Sequence, residues 1–424
     1  MFGRALSRLA LTLVACASVS ALAGCGGGAK TPEPLLRSPQ LTIWSSAPQH
    51  GPLRAVSADV VGAERLALAQ DGGRVGRYRV RLFALDAATP GLGRSDPAQM
   101  SQNARRAAKD PRTVAYLGEL ATGSSAISIP LLNEAGILEV SPLDPAMALT
   151  TANLAVAGSP ERYYPKLRVV GRTFARVVPS DRTEVDALLA AMRGEGVRRL
   201  AILSDEDPSG RALATSLRAK AHAAGIAVVA WPEIDEDAPQ HPDVIAALRA
   251  ADVDGALDAT GARPGAARLW RELSGADPGL QLFAPASLAD PSFVAGLGPE
   301  ASRVAHVTLP LPPPAADAPA ARRFARAFAA RYGHAPAPEA VYGYEAMRSV
   351  LAAIHDAERR EPEGVLRRSA VVHAYFRTAP RAGVLGPYAI EPSGDSSLHD
   401  WSLYRVAGGR LRFAGALDAG SAER

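Results

Sequence analysis

The stretch GELATGSSAI, Gly118–Ile127, lies between an apolar run and two further apolar segments. The run before it is VAYL (Val114–Leu117), and the segments after it are IPLLNEA (Ile129–Ala135) and GILEV (Gly136–Val140). A buried strand, a loop, a helix and a second strand in this order are typical of a βαβ unit. Because the loop consists largely of Gly, Ser and Thr, we expect it to hold something small and polar.

The same alternation extends outward from this loop in both directions. Upstream, LTIWS (Leu41–Ser45) and RVRLFALD (Arg79–Asp86) are typical of strands, with a helical spacing of apolar residues between them. Downstream, RLAILS, IAVVAW, GALDA and LQLFAP alternate with helical segments in the same way. The sequence therefore predicts an α/β protein with two parallel-sheet, Rossmann-like lobes, each sheet covered on both faces.

The last third of the chain departs from this rhythm. VAHVTLPLPPP (Val304–Pro314) predicts a strand that runs into a proline-rich segment, and two long helices follow at Ala320–Arg331 and Glu339–Glu358. PYAIEP, DWSLYRV and GRLRFAG predict antiparallel strands, with Gly408-Gly409 as a turn. We assign residues 40–172 and 308–384 to lobe 1, residues 173–307 and 385–418 to lobe 2, and residues 419–424 to a tail. The lobes are then joined by a multi-strand hinge.

The amino-terminal residues predict export and lipid attachment. Arg4 and Arg8 precede an apolar stretch, Leu9–Ala23, that is shorter than the ~20 residues a spanning helix needs. The stretch ends in Leu-Ala-Gly-Cys, which resembles a bacterial lipobox, so residues 1–24 are the expected signal peptide and Cys25 the lipidated residue. Residues 25–39, rich in Gly and Pro, are the expected tether. The alternative is an ordinary cleavable signal with a chance cysteine.

Composition excludes several classes of function. Cys16 and Cys25 are the two cysteines, so the mature body is expected to have no disulfide, thiolate metal site or cysteine nucleophile. The net charge of +4 falls to +2 once Arg4 and Arg8 are removed, and no basic run is interleaved with aromatic residues. Nucleic-acid binding is therefore not expected. Aromatic residues make up only 5% of the chain, which also argues against a sugar-binding cleft.

Catalytic motifs are equally missing from the sequence. The eight histidines are dispersed without metal-ligand spacing, and neither a G-x-S-x-G elbow nor a phosphate-binding G-x-x-x-x-G-K-[ST] motif occurs. We therefore expect no catalytic residue, no metal site and no cofactor.

The segment YLGELATGSSAISIPLLNEAGILEVSP, Tyr116–Pro142, resembles the signature region of the type I periplasmic binding fold. It is most similar to the branched-chain amino acid (leucine/isoleucine/valine) binding proteins of ABC transporters. Weaker similarities occur in VYGYEAMRSVLAAI (Val341–Ile354) and GPYAIEPSGDSSLHDWSLYRV (Gly386–Val406), so the resemblance covers nearly all of the mature chain. It implies two lobes that close around a ligand by a hinge motion, as in a Venus flytrap.

The loop after the third strand of lobe 1 is the first candidate binding element. Thr122, Gly123 and Ser124 lie where free backbone N–H groups at a helix start suit a carboxylate. The alternative is that Ser124 or Ser125 simply caps the helix. The resemblance implies that the hydroxyl at Thr122 and groups after Ser141-Pro142 hold the ligand carboxylate.

By that resemblance the backbone N–H of Leu143 is a candidate, whereas Asp144 and Pro145 replace small residues and a threonine. In lobe 2 the family's aromatic residues and acid are replaced at the aligned positions, so the candidates there are Ser209, Thr260 and Ser287. A buried ammonium group without a carboxylate is costly. Asp144, Asp258 or Asp205 could supply the missing charge, or each could be a cap or a surface residue.

These observations favour a solute-binding protein that is anchored by lipid to the outer face of the cell membrane. Its expected ligand is a small polar solute, an amino acid or a related carboxylate or amide, and its expected partner is an ABC permease. The alternative is a sensing or docking lipoprotein of the same fold with an eroded cleft. Ligand-dependent stabilisation would distinguish the two.

Overall fold

The computed structural model describes residues 35–90, 94–235, 238–261, 265–311, 319–361, 365–377 and 380–418. The expected signal peptide, Cys25 and the tail at residues 419–424 lie outside the described residues. Within the part that is described, no helix is both long and apolar enough to cross a membrane.

The first third of the chain forms a six-stranded sheet with helices on its faces. Its elements in order are β1 (Leu35–Leu36), β2 (Gln40–Ala47), α1 (Arg54–Gln70), β3 (Arg74–Val75), β4 (Tyr78–Asp86), α2 (Pro97–Lys109), β5 (Thr113–Leu117), α3 (Ser125–Glu134), β6 (Leu138–Ser141), α4 (Leu167–Val170) and β7 (Phe174–Arg176). The strand order is β3-β4-β2-β5-β6-β7, and all pairings are parallel except β3 with β4. Strand β5 is buried along its whole length, as its continuous apolar run predicts.

The middle third builds the second sheet. Its elements are α5 (Asp181–Gly194), β8 (Arg199–Leu203), α6 (Pro208–Ala221), β9 (Ala227–Ala230), α7 (Pro242–Ala250), β10 (Gly255–Asp258), α8 (Ala266–Ala276), β11 (Gln281–Ala284), α9 (Pro291–Gly296), α10 (Gly298–Arg303) and β12 (Ala305–Leu309). The strands β12-β11-β10-β8-β9 are parallel neighbours in that order.

The remaining elements complete both lobes. They are α11 (Pro319–Tyr332), α12 (Ala340–Arg360), β13 (Leu366–Arg367), α13 (Arg368–Arg377), β14 (Arg381–Gly383), β15 (Gly386–Tyr388), β16 (Asp400–Ala407) and β17 (Arg410–Asp418). Helix α12 packs on α1 in lobe 1, whereas β16 and β17 add an antiparallel edge to the sheet of lobe 2. Their turn is Gly408-Gly409, as the sequence predicts. The structure thus confirms an α/β fold with two mostly parallel sheets.

The contact between α12 and α1 depends on one glycine. A Cβ atom built on Gly343 would lie only 2.5 Å from the carbonyl oxygen of Val60. Non-bonded contacts of a Cβ atom are essentially never this short, so a side chain at this position would push the two helices apart. The close approach lets α12 bury Ala346, Met347 and Val350.

Strand pairing revises the positions at which the chain passes between the lobes. The sequence assigns residues from 173 onward to lobe 2, but Phe174–Arg176 pair with β6 and complete the first sheet. It also assigns residues from 385 onward to lobe 2, but Gly386–Tyr388 pair with β14, and the Tyr388 hydroxyl lies 3.3 Å from Glu345 on α12. The crossings therefore lie after β7, after β12 and between β15 and β16.

A buried ion pair joins the first and third crossings. Arg176 in β7 is fully buried, and its Nε lies 3.0 Å from Asp395, which precedes β16. The guanidinium also donates hydrogen bonds to the carbonyls of Asp144 and Ala146 and to the hydroxyl of Thr150. One side chain thus fixes two hinge segments and the loop that follows β6.

Candidate functional site

A cleft of about 730 Å³ lies between the two lobes. Lobe 1 contributes residues after β2, β5 and β6 and at the start of α12, and lobe 2 contributes the starts of α5, α6 and α9 and the turn after β11. Parallel strands end at one edge of each sheet, and the loops at that edge are where open α/β sheets bind ligands. The volume is in the range of small-molecule sites.

Four of the residues predicted from the sequence line this cleft together. Thr122 and Leu143 contribute from lobe 1, and Ser209 and Ser287 contribute from lobe 2. The N–H of Leu143 is already bonded to the hydroxyl of Ser141 at 3.2 Å, so Leu143 presents its side chain to the cleft rather than a free donor.

The two lobes touch at the loop that the sequence singled out. A Cβ atom on Gly123, whose φ is +75°, would lie 2.4 Å from the hydroxyl oxygen of Ser209. Gly123 is not among the residues that line the cleft, and neither is Ser124. Gly123 instead lets the loop of lobe 1 approach the start of α6.

At the start of α3, the backbone N–H groups that the sequence predicts for a ligand carboxylate are bonded to a carboxylate of the protein. The Asp144 carboxylate accepts hydrogen bonds from the N–H groups of Gly123 at 2.7 Å and Ser125 at 2.8 Å. Ser124 makes no side-chain capping bond. Asp144 is fully buried and does not line the cleft, so it cannot neutralise a ligand ammonium group there. Burial raises the pKa of Asp144, and Arg176 opposes that rise.

Thr260 is also engaged within the protein. Its N–H and hydroxyl both donate to one carboxylate oxygen of Asp258, and the indole N–H of Trp270 donates to the other at 2.7 Å. All three side chains are buried, and only the next residue, Gly261, reaches the cleft. Asp258 and Asp205 are not among the lining residues either, so neither supplies the charge sought there.

Two acids that sequence reasoning missed line the cleft at the start of α5. Asp181 and Glu184 are one helical turn apart and almost completely buried. Asp181 accepts the N–H of Met147 at 2.7 Å, and Glu184 accepts the N–H of Ala286 and the hydroxyl of Thr308, both at 2.6 Å. Acids in the first turn of a helix are ordinary, so nothing in the sequence marked this pair.

Burial dominates the electrostatics of these acids. Desolvation raises the pKa of Glu184 to about 7, although its bonds with Thr308 and Ala286 oppose the rise. Desolvation likewise raises the pKa of Asp181 well above its ordinary value, against the attraction of Arg176. Across the cleft, burial raises the pKa of Glu339 at the start of α12.

Replacement of Asp144 by alanine should weaken the loop between β5 and α3. Three N–H groups, those of Gly123, Ser125 and Ala146, lose their acceptor. We expect a loss of about 1–3 kcal/mol in the free energy of unfolding, measured by urea denaturation. Asp96→Ala, which removes the exposed cap of α2, is the matched control and should cost about 0.5–1 kcal/mol. A variant at Asp144 as stable as wild type would contradict this account of the loop.

Comparison with known proteins identifies the family. The family model described as periplasmic binding protein matches residues 42–410, which is most of the chain. The chain therefore belongs to the periplasmic binding protein family, as its resemblance predicted. A search of curated protein sequences gives no significant match.

Solved structures agree with this assignment at the level of the fold. A leucine binding protein from Thermotoga maritima has 21% identity and a TM-score of 0.72, with 89% of this chain and 98% of that chain covered. A solute binding protein of an ABC transporter from R. palustris, in complex with benzoate, has 17% identity, a TM-score of 0.67 and coverages of 89% and 96%. A putative branched-chain amino acid ABC transporter protein from Rhodospirillum rubrum has 23% identity, a TM-score of 0.61 and coverages of 88% and 100%.

The family is described as one of periplasmic binding proteins, and the structures similar in fold are those of binding proteins of transport systems. In the described ranges, no group of three or more His, Cys, Asp or Glu residues is arranged to hold a metal ion.

Proposed function

We propose that this chain is a lipid-anchored extracytoplasmic solute-binding protein, which captures a small polar solute between its lobes and delivers it to an ABC permease. The observation that carries the proposal is the cleft itself, because residues predicted from both halves of the sequence line it from opposite sides. Structures similar in fold contain leucine, isoleucine or benzoates, which supports an amino acid or a related small compound as the solute.

The three segments that cross between the lobes allow the cleft to close around a solute. Segments that join two lobes at one side of a cleft act as a hinge, and a solute that contacts both lobes stabilises the closed state. Thr122 and Leu143 would contact the solute from lobe 1, and Ser209 and Ser287 from lobe 2. The contact of Gly123 with Ser209 marks the place where the lobes meet.

Solute binding is tested by thermal unfolding of the purified full chain. The panel comprises leucine, isoleucine, benzoate, 4-hydroxybenzoate, aliphatic amides and short amines. A ligand at a hundred times its Kd should add about 2.7 kcal/mol to the free energy of unfolding. Stabilisation by one compound supports capture. No stabilisation by any compound would favour the second candidate, a docking or sensing lipoprotein, to which the internal bonding of Asp144 and Thr260 also points.

The anchor is tested at Cys25. We expect Cys25→Ser to move the protein from the membrane fraction to the soluble fraction and to abolish incorporation of a labelled fatty acid. Cys16→Ser, within the expected signal peptide, is the matched control and should leave both unchanged. Retention of the label in Cys25→Ser would contradict lipid attachment at this residue.

A further inference from the structure

Asp181 and Glu184, at the start of α5, each use only one carboxylate oxygen in hydrogen bonds within the protein. Oδ1 of Asp181 accepts one N–H group, and Oε1 of Glu184 accepts both the hydroxyl of Thr308 and the N–H of Ala286. Among the described residues, no donor bonds to the second oxygen of either carboxylate, and neither of these oxygens is among the fully buried atoms that lack a partner. Both side chains are more than nine-tenths buried, and both residues line the cleft.

The nearest compensating cation is already committed. Arg176 lies close enough to attract Asp181, but its guanidinium pairs with Asp395 and donates to the loop after β6. One buried guanidinium therefore faces several carboxylates. A largely buried carboxylate that has no cation of its own is unfavourable in its ionised form unless a cationic group reaches it.

An anionic ligand is disfavoured at the start of α3. The N–H groups of Gly123 and Ser125, the donors an anion would use at the start of α3, are already taken by Asp144. An anionic solute would thus find these donors taken by Asp144, and it would face the buried acids at the start of α5. The lining also includes the acids Glu339, Asp207 and Asp290. Its basic residues are Arg94, Arg410 and His50, and the ring of His50 lies 2.6 Å from Asp86.

We propose that Asp181 and Glu184 bind a protonated amine of the solute, so that the cleft selects compounds with a cationic nitrogen. This inference rests on the proposed function and narrows its solute class. The amine would donate to the two free carboxylate oxygens, which lie one turn apart on the same helix. Glu184 accepts the N–H of Ala286, so the amine site is shared between α5 and the turn that follows β11.

The test uses matched pairs of amines and carboxylates, titrated into the full chain by isothermal calorimetry. The pairs are benzylamine with benzoate, 3-methylbutylamine with 4-methylpentanoate, and 1,4-diaminobutane with butanedioate. We expect saturable binding of at least one amine, with its carboxylate partner at least tenfold weaker. Glu184→Gln keeps an acceptor for Ala286 and Thr308 and should weaken amine binding about tenfold to a hundredfold. Glu300→Gln, which removes the same charge at an exposed position of α10, should change it less than twofold.

The outcomes separate the inference from the proposed function. Binding of a carboxylate that Glu184→Gln and Asp181→Asn leave unchanged would overturn the inference and uphold solute capture. Amine binding that is insensitive to both substitutions would also overturn the inference alone. No saturable binding by any of the six compounds would overturn the inference alone, and the thermal-unfolding panel with leucine, isoleucine and the amides would then decide solute capture.

The pH dependence of amine binding gives a second readout. Glu184 has a pKa of about 7 in the free cleft, and only its ionised form attracts an ammonium group. Affinity should therefore rise about tenfold from pH 6 to pH 8, and the rise should be lost in Glu184→Gln. The other charged groups near Glu184 are Asp181 on the same helix, Arg176 on β7 and the cleft-lining acids Glu339, Asp207 and Asp290. A flat profile in wild type would contradict ion pairing at Glu184.

Discussion

Arg176→Met should lower the free energy of unfolding by about 3–5 kcal/mol, because it leaves the buried Asp395 without its cation. The same change removes three hydrogen bonds, to the carbonyls of Asp144 and Ala146 and to the hydroxyl of Thr150. These contacts hold the segment after β6 against two of the crossings. The loss should therefore appear in both the stability of the fold and the order of the hinge.

Urea denaturation followed by circular dichroism measures the first effect. Asp395→Asn retains a polar partner for the guanidinium and should cost less than Arg176→Met. The double variant, with both charges removed, should be more stable than the sum of the single losses predicts, since neither charge is then left unpaired. Strict additivity of the two single changes would show that the ion pair does not couple the segments.

Trp270→Ala should also cost about 3–5 kcal/mol, because Trp270 is fully buried in α8 and leaves a large cavity. The indole meets Phe293 edge to face, with ring centroids 5.1 Å apart, and its N–H donates to Asp258. Phe293 lines the cleft, so the cavity lies directly behind the binding surface.

Trp270→Phe separates packing from hydrogen bonding. It retains most of the ring volume but leaves one oxygen of Asp258 without a donor, and we expect a loss of about 1–3 kcal/mol. Trp231, which is half-buried, provides the control, and Trp231→Ala should cost clearly less than Trp270→Ala. Equal losses for the two alanine variants, measured by circular dichroism in urea, would contradict the assigned role of the buried indole.

The fold was predictable because its signals are local. Continuous apolar runs such as Val114–Leu117 and Leu200–Leu203 are typical of buried strands of a parallel sheet, and segments with helical spacing of apolar residues separate them. The turn at Gly408-Gly409 could be predicted because its signal, two glycines between two strands, is also local. The crossings were misplaced because a three-residue strand such as β7 is recognised only by its partner.

The site was less predictable because its decisive contacts join distant parts of the chain. Ser209 and Ser287 could be located from the ends of strands. The hydrogen bonds of Asp144 to the start of α3, and of Glu184 to the turn after β11, depend on how loops pack across the sheets. From the sequence alone, an acidic residue near the start of a helix could equally form hydrogen bonds within the protein or bind a solute.

The interleaved crossings also set the order in which the newly made polypeptide can reach its native state. The sheet of lobe 1 needs nothing beyond Arg176, but the helix that covers α1 is synthesised only after all five parallel strands of lobe 2. Until then α1 presents Val60, Ala63 and Ala67 to water, a state that holdase chaperones favour. Neither lobe can therefore be completed from one continuous stretch of the polypeptide: lobe 1 waits for α12, and the sheet of lobe 2 is complete only when β16 and β17 have been synthesised.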